Sequence, residues 1–236
     1  MGELMMHTGL ANRAMNAVDK LMGKLPARLS LLSVVTGAIF GMLSGSTMAS
    51  TAMLGSTIGP DMVERGYDKK MTYGPILASG GLAMIIPPSS LAVIYATNAQ
   101  ISAGRLLIAG LIPGIVMAIN YSINIIFRVK RNPSLAPTYE PEEVPMKEKM
   151  TLFFRDLFPM VFIIFLVTGV FVIGIATPTE AAALGAIGTL IMAIFYKSVN
   201  FTVIVKALKG TVITSTMTLF IIGGSSRSEE HTSELQ

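Results

Sequence analysis

The sequence predicts an all-α integral membrane fold with a re-entrant hairpin and broken helices, and three observations carry that prediction. Charge is sparse: 14% of the 236 residues are charged and 52% are hydrophobic, where a soluble domain carries about 25% charged residues. The charges are also clumped. Residues 29–60, 71–104, 106–127, 157–179, 181–196 and 210–226 contain none. Finally, the first two of these runs are interrupted by short breaks, Leu43–Ser50 and Ile85–Ser90. A single crossing takes roughly 20 apolar residues. Runs 29–60 and 71–104 are too long for one crossing and too short for two with a loop, so they read as hairpin and broken helix.

Taken in order, residues 1–28 read as an amphipathic interfacial helix. Leu10, Ala14, Val18, Leu21 and Leu25 recur at helical spacing between Arg13, Asp19, Lys20 and Lys24, and Pro26 ends the pattern. Residues 29–131 follow as hairpin, broken helix and span. Gly37, Gly41 and Gly45 recur every four residues, as do Gly55 and Gly59, a spacing that lets helix backbones approach closely. Two arms of about fifteen residues are short of a full span, which predicts a hairpin with its tip at Ser44–Thr47. Basic residues flank both feet: Lys24 and Arg28 on one side, Arg65, Lys69 and Lys70 on the other. The positive-inside rule puts these feet on the cytoplasmic side. The broken helix then crosses outward, and 106–127 returns to Arg128, Lys130 and Arg131. Residues 132–150 read as a cytoplasmic connector and 151–224 as a partial second set of spans, ending in an interfacial piece, 201–209, and a buried segment from Thr211. The polar stretch 225–236 resembles a translated adapter scar and is expected to be non-native. The chain reads as an internal fragment of a longer membrane protein.

Composition excludes several function classes. With no cysteine there is no thiolate metal site or disulfide. His7 and His231 lie far apart near the two ends, which speaks against a histidine metal site. The basic residues lie in short loops with no aromatic platform, which speaks against nucleic-acid binding. No aspartate lies at the centre of a span and no phosphate-binding Gly-Lys-Ser/Thr loop is present, so neither an intramembrane protease nor a nucleotide-driven pump is expected. Asn120 and Asn124, one turn apart in a span, are expected to hydrogen-bond between helices. Asp61 is expected at the hairpin foot.

The breaks are the candidate site. Irregular backbone at membrane depth is tolerated only beside protein or a water-filled cavity. Pro87 and Pro88 carry no N–H, so carbonyls at Ala83 and Met84 lose their helical partners. These carbonyls, with those around Ile86 and Pro88, are placed to meet the tip residues Ser44, Gly45, Ser46 and Thr47. Half-helices starting near Ala49 and Ser90 would aim partial positive charge at an anion, making Ser89 and Ser90 the substrate-facing pair. The plainer reading keeps the glycines as packing residues and Pro87-Pro88 as a kink; residue chemistry alone leaves both open. At Thr177-Pro178-Thr179-Glu180 the pattern reads first as a capping box.

In order and spacing, Phe40–Ser46, Arg65-Gly66-Tyr67-Asp68, Ile86-Pro87-Pro88-Ser89, Ala109–Gly114 and Thr177–Ala182 resemble the large membrane subunit of tripartite ATP-independent periplasmic (TRAP) transporters. The resemblance implies an inverted-repeat elevator-type transporter of the bacterial inner membrane, not an enzyme and without a cofactor. It implies import of organic acids, dicarboxylates or sugar acids, coupled to Na+. It also implies two partners: a small membrane subunit and a periplasmic substrate-binding protein. Sodium would lie among Ser44, Gly45, Ser46, Thr47, Ala83, Ile86 and Pro88, with the hydroxyls of Ser46, Thr47 and Ser89 completing the shell and a second ion near Thr177 and Thr179. Family members are about twice this length, so the first spans and a second hairpin are expected to be missing. Another ion-coupled carrier of the same superfamily, or a non-transporting membrane scaffold, is the alternative.

Overall fold

A computed structural model describes residues 1–23, 25–137 and 145–233, with side chains through Gly224. Lys24, part of the connector (138–144) and the side chains of the polar tail lie outside the described residues. Among those described, every regular element is helical.

The N-terminal segment forms two helices rather than one: α1 (Gly2–His7) and α2 (Leu10–Met22). Gly9 takes a left-handed conformation between them (φ 71), which its missing Cβ permits. The apolar stripe of α2 is real, with Leu10, Ala11, Ala14, Ala17 and Val18 all buried. Its partner is protein, however, since α2 packs on the helix that follows and on a turn of the second half.

Next come α3 (Arg28–Ser44) and α4 (Thr47–Glu64). These are the two hairpin arms, 17 and 18 residues long, longer than the sequence suggested because α4 continues through Pro60 and Asp61. Asp61 is exposed in the last turns of α4, at the foot as expected. Arg28 is not a loose basic foot: it is 6% exposed and its Nη2 lies 2.9 Å from the Asp19 carboxylate on α2.

The broken helix is α5 (Lys69–Ile85) and α6 (Ser90–Asn98), bent by 46°. α5 packs on both arms. Its contact with α3 is set by small residues. A Cβ added at Gly37 would lie 2.5 Å from the Ser79 Cβ, and one at Gly41 2.8 Å from the Ala83 Cβ. Backbones this close need glycine on one face and a small residue opposite. Gly55 meets nothing and Gly59 only the end of Ile76, so the packing role belongs to the first stripe alone.

A long helix, α7 (Ala103–Arg131), returns along α5 and α6. Gly110 and Gly114 face the Ile85 carbonyl and the Ile86 side chain. Asn120 and Asn124 are exposed and make no hydrogen bond among the described residues, so the interhelical role expected of them is not realised. They lie on the opposite face of α7 from the buried Gly114 and Ile125.

In the second half, α8 (Met146–Leu152) starts inside the stretch assigned to the connector and runs through a π-turn, Phe153–Leu157, into α9 (Phe158–Val172). Pro159 has no N–H to give Arg155, and a widened turn before a proline is the expected relief. Then follow α10 (Pro178–Phe195) and α11 (Phe201–Ser233). α11 is one helix, not an interfacial piece and a buried one. Gly210 does not break it; its bare backbone receives the Glu3 carboxylate of α1. Nor is it buried: Val212, Ile213, Met217 and Phe220 are all more than half exposed. Among the described residues, four helical segments are long and apolar enough to cross a membrane, five with the bent pair.

Candidate functional site

Both breaks form where the sequence places them, and they meet. α3 ends because Gly45 turns left-handed (φ 61), its N–H closing on the Gly41 carbonyl at 2.8 Å. Ser46 is extended and caps α4: its hydroxyl accepts from the Ala49 N–H at 3.3 Å. α4 therefore begins at Thr47, two residues earlier than expected. On the other side, α5 stops at Ile85, and Ser89 caps α6 by accepting from the Ala92 N–H at 3.3 Å. The Pro87–Pro88 peptide bond is cis. The Ser90 hydroxyl donates to the Gly45 carbonyl at 2.7 Å and ties the two breaks together.

The polar groups here divide into engaged and unengaged. The Met84 carbonyl, expected to be loose, accepts from the Ser89 hydroxyl at 2.7 Å. Ser89 is 1% exposed, and its hydroxyl serves two backbone groups, so it is a capping residue on the wall rather than a free ligand. The Ser46 hydroxyl is likewise occupied. Ser44 shares a 3.0 Å hydrogen bond with the Ser50 hydroxyl, and Ser50 also donates to the Ser46 carbonyl at 3.0 Å. Ser50 was not singled out in the sequence. The available signal was its position four residues after Ser46, a polar group in an apolar run. It is fully buried.

Thr47 is the exception. Its hydroxyl oxygen is buried and has no hydrogen-bond partner, although more than nine in ten buried polar groups are paired. The Ala83 carbonyl has no amide four residues on, because that residue is Pro87. Ile86 contributes packing: it is 2% exposed and its N–H is used by the Leu82 carbonyl.

A cavity of about 230 Å³ opens at this junction. Ser44 and Gly45 line it from the tip, Pro88, Ser89 and Ser90 from the break, and Pro178 and Ala182 from α10. Among the described residues, no charged side chain lines it. Its polarity comes from helix ends: α3 and α5 terminate at the junction, and α4 and α6 begin there. C-terminal carbonyls favour cations and N-terminal amides favour anions.

Thr177 and Thr179 are both exposed and do not line this cavity. Thr177 forms the full capping box with Glu180. Its N–H and hydroxyl each contact the Glu180 carboxylate at 2.8 Å, and its oxygen accepts from the Glu180 N–H at 3.3 Å.

A family model described as the DctM component of the tripartite ATP-independent periplasmic transporter matches residues 1–232, running into the polar tail. The chain is 30% identical to the C4-dicarboxylate TRAP transporter large permease protein DctM of Rhodobacter capsulatus, over 94% of this chain and 52% of the relative. It is 33% identical to the isethionate TRAP transporter permease protein DctMQ of Oleidesulfovibrio alaskensis, over 79% and 29%. It is 28% identical to the 2,3-diketo-L-gulonate TRAP transporter large permease protein YiaN of Escherichia coli, over 95% and 52%. The chain thus spans about half the length of most curated relatives it matches.

Proposed function

Because the chain belongs to the DctM family of tripartite ATP-independent periplasmic transporters, we propose that it supplies one ion- and substrate-binding half of a Na+-coupled importer of organic acids in the bacterial inner membrane. The buried, unpartnered Thr47 hydroxyl carries the reading. A sodium ion takes hard oxygen ligands, and Thr47 offers one at the start of α4, just past the end of α3 and behind the cavity wall rather than on it. The Ala83 carbonyl lacks its helical amide, and the Gly45 carbonyl keeps one lone pair beyond its bond to Ser90. Ser44, Ser46, Ile86 and Pro88 build the frame. A bound cation there would neutralise those carbonyls and hold the two breaks in register. The substrate carboxylate would then lie in the 230 Å³ cavity, against Ser90 and the N-termini of α4 and α6, with Ser89 fixing the wall. Such coupling through discontinuous helices is a recurring device of secondary transporters.

Substrate names among the relatives vary, including C4-dicarboxylate, isethionate, diketogulonate and ectoine; all four carry a carboxylate or sulfonate group, which supports an organic acid here. We assign the small membrane subunit and the periplasmic binding protein as partners, the DctMQ name of one relative supporting the former. A second ion near Thr177 and Thr179 would need ligands other than the Thr177 hydroxyl, which Glu180 already holds.

The experiment is Thr47→Val in the whole transporter, with uptake of a panel of organic acids measured against external sodium. The expected result is a loss of about tenfold in apparent sodium affinity, from removing a ligand worth about 1.4 kcal/mol, with membrane insertion unchanged. Wild-type sodium dependence in the variant would remove the hairpin tip from the ion site.

A further inference from the structure

We propose that the basic end of α5 and α7 binds the phosphate of an anionic phospholipid. A groove of about 440 Å³ opens between the start of α5 and the last turns of α7. Lys70, Arg128 and Arg131 line it, with Asn124 and Phe127 beside them. All five are exposed, and none of the three cations makes an ion pair among the described residues. Asp68 also lines the wall, but its carboxylate is turned to the backbone and accepts from the Lys70 N–H at 2.8 Å, capping α5. Three cations around one groove, none ion-paired among the described residues and placed where a span leaves the bilayer, suit a phosphodiester headgroup.

The apolar surface beside the groove distinguishes a lipid from a free anion. Ile119, Ile123 and Phe127 follow one another at four-residue spacing on α7 and are 53%, 61% and 57% exposed. They form one stripe that runs from the groove into the membrane, left half or more exposed by the described residues. An acyl chain lies along this stripe while its phosphate occupies the groove. The Arg131 guanidinium stands 5.2 Å over the Phe127 ring, which holds the cation at the level where ring and headgroup meet. Asn124 gains a role here: its exposed amide faces the groove as a donor to a phosphate or glycerol oxygen. A free phosphate would use the cations and leave the stripe idle. A zwitterionic lipid carries its own cation, which the three basic side chains repel.

The test is native mass spectrometry of the full chain in neutral detergent, with phosphatidylglycerol, phosphatidylcholine and excess inorganic phosphate as probes. Phosphatidylglycerol should be retained at least about tenfold more than phosphatidylcholine, and phosphate should not displace it. The variant R128Q/R131Q should lose about thirtyfold in retention, as expected for two juxtamembrane cations. K147Q/K149Q, which removes the same charge from α8, should retain the lipid as wild type does. K70Q, on a different helix, gives the same reading should the double variant prove unstable. Equal loss in the α7 and α8 variants would reduce the effect to net charge and overturn the site. Displacement by inorganic phosphate would make it a free-phosphate site and overturn the lipid.

Discussion

Ser30 and Ser89 perform one task at two places in the broken helix. Pro75 lies inside α5 and leaves the Met71 carbonyl without its amide; the fully buried Ser30 of α3 donates to it at 2.8 Å. Pro88 does the same to Met84, and Ser89 answers at 2.7 Å. Each hydroxyl stands in for the N–H a proline lacks. Replacing Ser30 with Ala should cost about 1–3 kcal/mol, the penalty of an unsatisfied buried group, measured as unfolding free energy in detergent. Adding Pro75→Ala should recover most of that loss, because the helix regains its own donor; independent, additive effects would refute the pairing. Asp19 gives a pH prediction. Burial pushes its carboxyl up, more than Arg28 and Arg65 pull it down. A carboxyl raised in the folded state favours folding below its ordinary range, and that contribution is lost as pH rises through the raised value. The stability of wild type relative to Asp19→Asn should therefore fall over that acidic window and then level off in pH-dependent melting.

Among the elements, the hairpin and the broken helix act as a unit because two different features hold them together. Gly37 and Gly41 bring α3 onto Ser79 and Ala83 of α5, and Ser90 bridges to Gly45 at the end of the same stripe. The packing and binding readings of the glycines thus apply to different parts of one element. Replacing Pro87 and Pro88 with Ala returns two N–H donors to Ala83 and Met84. A continuous helix would swing α6 through its 46° bend and pull Ser90 off the tip. Sodium dependence of uptake in that variant should weaken markedly, while wild-type dependence would reduce the prolines to a kink.

At the level of the whole molecule, α2 fastens the hairpin to the second half. Two ion pairs span the joint, Arg13–Asp156 at 3.8 Å and Lys20–Glu148 at 3.7 Å. Both are long and partly exposed, and such pairs contribute about 0–1 kcal/mol. Full burial of a large aliphatic side chain is worth roughly 1.5–3 kcal/mol, so Leu10 and Val18 do most of the holding. Orientation in the membrane is open to direct test, because the sequence has no cysteine. Gln100→Cys should react with an impermeant maleimide from the periplasmic side of spheroplasts, and Lys69→Cys only after permeabilisation. The reverse pattern would invert the topology.

Membrane class, the hairpin tip, the Pro-Pro break and the capping box at Thr177 were all determined by the sequence alone. Each depends on local chemistry: runs without charge, missing Cβ atoms, missing N–H groups and a hydroxyl three residues before a carboxylate. What only the tertiary structure decided was which polar groups remain available. Ser46, Ser89 and the Met84 carbonyl are taken up by caps within three to five residues, whereas packing buried the Thr47 hydroxyl and left it without a partner. The fold also gave the amphipathic face of α2 to protein and turned Asn120 and Asn124 outward. Periodicity shows that a helix has a face, but which neighbour covers it depends on contacts between residues distant in the chain.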